Sequence, residues 1–234
     1  MRTAILVDGG FYRKRAKRIW GDKAAMERAD ELMRYCGLHL KDGGKDALRS
    51  LYRIFYYDCP PLSGNVYDPI SKKSISMEKT STFKWTNDFF AALVSKRKVA
   101  LRKGVLLSSG RGYTLTVEAT KRLLAGTLPV KDITSRDLTP MFQQKGVDIK
   151  IGIDILHLAY KKLVDQIILI TGDSDFVPAA KIARIEGVDV ILDTMGQKVT
   201  DLLVEHVDGL FSHWRDARIE GGEDRRIWGG ELTG

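Results

Sequence analysis

The chain has 234 residues, 44% of them hydrophobic, and a formal net charge of +8 from 38 Lys and Arg against 30 Asp and Glu. That is enough to bury one sizeable core unaided, as a large domain or a domain with an insertion. No apolar run approaches the roughly 20 residues that cross a bilayer, and "MRTAILVDGG" is too short an apolar run for a signal peptide, so a cytoplasmic protein without a membrane partner is expected. Cys36 and Cys59 stand in neither a CxxC pair nor a zinc-ligand spacing, which reads as two reduced thiols in or near the core.

In chain order, "TAILVDGG" reads as a fully buried strand, because an unbroken apolar run closed by Asp-Gly-Gly suits the centre of a parallel sheet. A helix is expected over Tyr12–Trp20, a second over "AMERADELMRYCGLHL", and a strand over "SLYRIFYYD" that ends at Asp58. Cys59 to about Ser81 reads as a long loop rich in turn formers, the kind that often carries function. "TNDFFAALVSKRKVAL" reads as an amphipathic helix, followed by "GVLLSS" and "GYTLTVE" as the two strands of a hairpin turning near Gly110 to Gly112.

From Lys145 the pattern alternates: helix "VDIKIGIDILHLAYKKL", strand "QIILI", helix "FVPAAKIARIEG", strand "VDVILD", helix "QKVTDLLVEH". Such alternation argues for an α/β fold with a mostly parallel sheet covered on both faces. We expect a single domain over residues 1–218, interrupted by an insertion at about 59–130, and a frayed Gly-rich tail over 219–234.

In sheets of this kind ligands bind beyond the carboxyl ends of the strands. Asp8, with Gly9 and Gly10 behind it, falls there, as do Asp173 and Asp175 in "ILITGDSDFVP". Thr171 and Ser174 offer hydroxyls that can orient a carboxylate or a water beside Gly172. Asp175 reads equally well as a helix N-cap, and Asp193 as a cap for the turn after its strand. Asp148 and Asp154 are six positions apart, which on one continuous helix sets them about 120° apart, so both reach one ion only if the helix starts after Asp148. Asp154 lies among Ile151, Ile153, Ile155 and Leu156, where an inward charge needs a cation or hydrogen bonds to receive it.

Positive charge is clustered. Arg13, Lys14, Arg15, Lys17 and Arg18 crowd the first helix, and Lys96, Arg97, Lys98, Arg102 and Lys103 crowd another. A basic surface around an acidic pocket suits an enzyme that acts on phosphodiesters, the cations attracting the backbone and the carboxylates holding a metal; a pair of solvated helix faces is the plainer alternative.

Taken together, "AILVDGGFY", "QKGVDIKIGIDI" and "VDQIILITGDSDFVPAAKIARIEGVDVIL" resemble the NYN domain, in the LabA-like branch of the PIN-like nucleases, over roughly Arg2 to Leu210. The resemblance implies a three-layer α/β/α fold, Rossmann-like in its parallel centre, and a carboxylate cluster that binds Mg²⁺ or Mn²⁺ to cleave RNA. It assigns Asp8, Asp148, Asp154, Asp173 and Asp175 to the metal and the chemistry. One departure is visible: where many relatives carry an Asn shortly after the first Asp, "DGGFY" offers glycine and aromatic residues.

Carboxylates without His or Cys select hard, oxygen-loving cations. None of His39, His157, His206 and His213 has an acid–base partner nearby in sequence, which disfavours a metal-free histidine mechanism and reads all four as structural. A haloacid-dehalogenase-type phosphatase would need a carboxylate two residues after its nucleophile, where Gly10 stands. The remaining alternative is an RNA-binding or regulatory module that keeps the acidic pocket and cuts little or nothing. The sequence leaves a homodimer and a protein partner open.

Overall fold

The structure, a computed structural model, describes residues 1–41 and 49–216. The expected tail over 219–234 lies outside the described residues.

The chain divides into two compact units, one of Met1–Asp58, Asp88–Gly104 and Gly146–Gly234, the other of Cys59–Asn87 and Val105–Lys145. The first contains strands β1 (Arg2–Asp8), β2 (Ser50–Asp58), β5 (Val99–Lys103), β8 (Gln166–Ile170), β9 (Asp189–Asp193) and β10 (Gly209–Leu210). They form one six-stranded parallel sheet in the order β10-β9-β8-β1-β2-β5. Helices α1 (Gly9–Trp20), α2 (Ala25–Lys41), α5 (Val147–Tyr160), α6 (Val177–Ile185) and the short α7 (Asp201–Val204) flank it, giving the expected α/β/α layering.

The apolar runs explain the centre of the sheet. Ala4 to Val7 of β1 and Ile167 to Ile170 of β8 are wholly buried, as strands covered by helices on both faces must be. These two strands are neighbours, with Val7 opposite Ile170. From β1 the chain winds outward through β2 to β5, then returns to the other side of β1 and winds through β8 and β9 to β10. The order therefore reverses between β1 and β8, the place where two strand ends part and leave a crevice for ligands.

The second unit holds the antiparallel hairpin of β3 (Asn65–Asp68) and β4 (Lys73–Ser76), the antiparallel ribbon of β6 (Val105–Leu115) and β7 (Leu138–Lys145), and α4 (Val117–Leu124). The segment read as a loop thus has strands of its own. "GVLLSS" and "GYTLTVE" do not pair with each other: Gly110 to Gly112 lie within one strand, β6, whose partner is β7. Helix α3 (Ser81–Val94) is shorter than expected, because "VALRK" becomes β5 and pairs in parallel with β2, Ile54 opposite Val99 and Asp58 opposite Lys103.

Candidate functional site

Asp8 ends β1 and opens α1. Its side chain accepts the Phe11 backbone N–H at 3.1 Å, capping a helix that therefore starts at Gly9 rather than at Tyr12. Gly9 permits the sharp strand-to-helix passage, since a β-carbon there would stand 2.6 Å from the Tyr57 carbonyl oxygen and 2.7 Å from the Tyr56 ring. The other Asp8 oxygen accepts the Thr171 hydroxyl at 3.2 Å, so the ends of β1 and β8 are tied across the crevice.

Thr171 is fully buried, and its Oγ1 also accepts the Asp173 backbone N–H at 3.2 Å. Asp173 in turn accepts the Asp175 N–H at 3.0 Å and caps the single 3₁₀ turn Ser174–Phe176. The capping role that was open for Asp175 therefore belongs to Asp173; α6 follows directly with Phe176 at its cap position and Pro178 in its first turn, without a side-chain cap. Asp148 is in the first turn of α5, after Gly146 at φ 80°.

Electrostatics shows which of these carboxylates feel one another's charge. Burial raises the pKa of Asp8 above the usual carboxylate value, against the Phe11 and Thr171 hydrogen bonds, and the charges of Asp148 and Asp58 add to the rise. Asp148 is raised by burial and then by Asp173 and Asp175. Asp8, Asp148, Asp173 and Asp175 thus share one field at the switch point, with Asp58 beside them. Asp58 is buried at the end of β2, takes the Arg13 guanidinium at 2.8 and 2.9 Å, and accepts the Tyr56 hydroxyl at 3.3 Å.

Asp154 has other partners. Helix α5 is continuous from Val147, so Asp148 and Asp154 point in different directions, as their spacing requires. The Asp154 carboxylate accepts the Tyr57 hydroxyl at 2.8 Å and Arg102 Nε at 3.0 Å on one oxygen, and Arg102 Nη2 at 3.3 Å on the other. The charge among the isoleucines is received by a built-in cation. Arg102 also lies 5.3 Å over the Phe55 ring.

The basic residues divide by position. Strand β5 separates Lys96, Arg97 and Lys98, which precede it, from Arg102 and Lys103 at its carboxyl end, on the same edge of the sheet as Asp58 and Asp8. They do not share one helix. Lys96 pairs with Asp30, and Lys98 donates to the Leu51 carbonyl near the start of β2. Lys103 stands 5.6 Å over the Phe90 ring, Arg13 serves Asp58, and Lys14 is exposed on α1.

A group hidden from sequence reading sits at the end of β9. Asp193 is fully buried; one oxygen accepts the Tyr35 hydroxyl at 2.5 Å and bonds His39 Nε2 at 2.7 Å, and the other accepts the Met195 N–H at 2.7 Å. The cap expected of Asp193 is present, but His39 is 154 positions away, a partnership no local pattern announces. Cys36 and Cys59 are both buried, and neither is in a disulfide, as expected.

Four exposed or half-buried carboxylates with no nitrogen or sulfur donor among them suit a hard divalent cation by donor chemistry. Among the described residues no three His, Cys, Asp or Glu side chains are close enough together to hold an ion by themselves. One or two carboxylates with retained waters is the arrangement that Mg²⁺ ordinarily accepts. No helix among the described residues is long and apolar enough to cross a membrane.

No curated protein matches the sequence. A crystal structure of a protein of unknown function from Vibrio parahaemolyticus is similar at 11% identity and a TM-score of 0.44, with 89% of this chain and 90% of that chain covered. The family model of the NYN domain matches residues 86–212, more than half of the 234 residues, and takes in Asp148, Asp173 and Asp175. With the carboxylates standing at the switch point of a parallel sheet, the chain belongs to the NYN domain family of the PIN-like nuclease superfamily.

Proposed function

We propose that the protein is a metal-dependent ribonuclease of the LabA-like branch, acting in the cytoplasm, with Asp8, Asp148, Asp173 and Asp175 around Mg²⁺ or Mn²⁺, one or two of them bound to the ion and the others reaching it through its retained waters. The observation that carries this reading is the shared field of these carboxylates: Asp148 raises Asp8, and Asp173 and Asp175 raise Asp148. Like charges gathered at a ligand-binding edge are unfavourable until a cation joins them. When bound, the cation would supply an activated water and stabilise charge on the phosphoryl and leaving oxygens.

The chain's own residues have separable parts in this reading. Phe11 N–H and the Thr171 hydroxyl fix both oxygens of Asp8, so that it presents its remaining lone pairs in one orientation. Thr171 also holds the Asp173 backbone, and Asp173 sets the Ser174–Phe176 turn that carries Asp175. Gly9 lets α1 approach the end of β2, and Gly172 lets Phe11 and Gln197 close on the main chain just before Asp173, while a β-carbon at Gly10 would meet only Asp8 Oδ1, at 3.5 Å. Arg102 and Lys103, at the same edge, draw the phosphate backbone by charge. Asp154 holds Arg102 there; its recruitment to the ion would require that pair to open.

A non-cleaving or weakly cleaving RNA-binding module is the second reading, and one observation favours it. Two carboxylates at this edge, Asp58 and Asp154, already have arginine counter-ions. Incubating the protein with single-stranded RNA in Mg²⁺, Mn²⁺ and EDTA decides between them. Cleavage that EDTA abolishes and Asp173→Asn removes is expected; binding without cleavage in either metal would leave the module.

A further inference from the structure

Beyond β9 the chain makes a turn, Thr194 to Gln197, in which Gln197 N–H donates to the Thr194 carbonyl at 2.9 Å. Its two central residues both have positive φ, Met195 at 46° and Gly196 at 71°, the left-handed geometry of a type I′ turn. Glycine adopts this freely, but methionine does so at a cost, and such a residue persists only where its surroundings hold it. Here they do. The Met195 N–H donates to Asp193 at 2.7 Å, its carbonyl accepts Arg15 Nη2 at 2.6 Å, and its side chain is fully buried.

The fixed turn places Gln197 beside the carboxylates, where Phe11 of α1 also stands. Gln197 and Phe11 both close on Gly172: an alanine β-carbon there would stand 3.0 Å from Gln197 Nε2 and 2.8 Å from Phe11 Cε2. Gly172 immediately precedes Asp173, and Phe11 is the residue whose N–H holds Asp8. The Trp214 indole presses on the main chain of Gly196, the neighbour of Gln197, leaving no room for a side chain. The Arg215 guanidinium lies 4.4 Å over that indole. Gly196, Gln197 and Arg215 are exposed, and Phe11 and Trp214 are half-buried.

We propose that Phe11, Gln197 and Trp214 form a nucleobase subsite next to the carboxylate cluster, which takes an unpaired base of single-stranded RNA. The proposal rests on the RNA-acting reading given above. The Phe11 ring and the indole face that Arg215 does not cover offer stacking to a base of any identity, the Gln197 amide offers both a donor and an acceptor to a base edge, and Arg215 offers charge to the adjoining phosphate. A base in a duplex has its faces covered by its neighbours, so the subsite selects single strands. The strained, anchored turn sets the Gln197 main chain beside Gly172 before the substrate arrives.

The test compares binding, in EDTA to prevent cleavage, of a short oligouridine, the same oligonucleotide with abasic residues, and the corresponding duplex. Tryptophan fluorescence is read in parallel. Wild type should bind the intact single strand about tenfold more tightly than the abasic one, the order of one stacked base, and show quenching that Trp214→Phe diminishes. Gln197→Ala, a change on an exposed side chain, and Phe11→Ala should weaken binding of the intact strand towards the abasic level while leaving the abasic affinity unchanged. Equal affinity of wild type for intact and abasic strands would overturn the subsite and leave the RNA-acting reading standing. Binding of none of the three would overturn both.

Discussion

Arg13 holds both oxygens of Asp58, Nε at 2.8 Å from one and Nη2 at 2.9 Å from the other, and so gives a counter-ion to a buried carboxylate whose charge still adds to the field on Asp8. This gives Arg13 a stabilising role distinct from the phosphate contact its place in a basic helix suggested. Replacing one partner of a buried pair leaves the other uncompensated, which costs about 3–5 kcal/mol. Arg13→Met is therefore expected to lower the melting temperature by roughly ten degrees at 2–4 °C per kcal/mol. A phosphate-contacting arginine would instead reduce the slope of log affinity against log salt by about one with little change in melting. Melts and salt titrations of RNA binding on the same variant separate the two roles.

Asp154 supplies a second prediction through Tyr57. Burial and the neighbouring Asp154 carboxylate push the Tyr57 hydroxyl well above its usual pKa, so the phenol remains a donor that needs an acceptor. Asp154→Ala removes that acceptor, at about 1–3 kcal/mol for a buried donor left unsatisfied. The exposed portion of the Arg102 pair adds little, since partly solvated ion pairs contribute about 0–1 kcal/mol. The variant should melt a few degrees lower while keeping the wild-type stabilisation by Mn²⁺. A metal-induced shift that shrinks would show Asp154 leaving Arg102 for the ion.

Gly9 gives a third. An added β-carbon would meet the Tyr57 carbonyl and the Tyr56 ring well inside contact distance, and neither a central strand's main chain nor a fully buried tyrosine can step aside. Gly9→Ala should destabilise by at least the ~1–3 kcal/mol typical of overpacking, and Gly10→Ala, where the nearest atom is Asp8 Oδ1 at 3.5 Å, by much less. Equal melting of the two variants would remove the close-approach argument.

The parallel α/β fold was legible because β1 and β8 are apolar without interruption, which only strands covered on both faces tolerate. "VALRK" misled because alanine, leucine, arginine and lysine are strong helix formers, and the pairing with β2 overrides that local preference. Gly110 and Gly112 read as a turn for the same reason: turn chemistry is local, whereas β6 finds its partner in β7, a strand whose Pro140 and polar residues give no strand pattern. At the site, the aspartates ending strands were readable from the sheet rule alone. Their counter-ions were not, since Arg13 with Asp58 and Arg102 with Asp154 join residues 45 and 52 positions apart. The strained turn at Met195 was equally hidden, because nothing in "LDTMGQ" announces a methionine in left-handed geometry.

The Asp173 carboxylate separates stability from function most directly, because one oxygen caps the turn and the charge faces Asp148. Asp173→Asn retains an oxygen that accepts the Asp175 N–H but removes the charge that raises Asp148. Without metal, this variant should melt no lower than wild type, since it keeps the cap and loses a like-charge repulsion. Asp173→Ala loses the cap as well and should fall about 1 kcal/mol below the asparagine variant. Adding Mn²⁺ stabilises the folded protein in proportion to the logarithm of concentration over dissociation constant, about 2.7 kcal/mol at a hundredfold excess. Wild type should gain on that scale, and both variants should gain markedly less and lose RNA cleavage. Thermal melts of the three proteins across one Mn²⁺ titration measure every term, and equal metal-induced shifts in all three would refute the assignment of Asp173 to the ion.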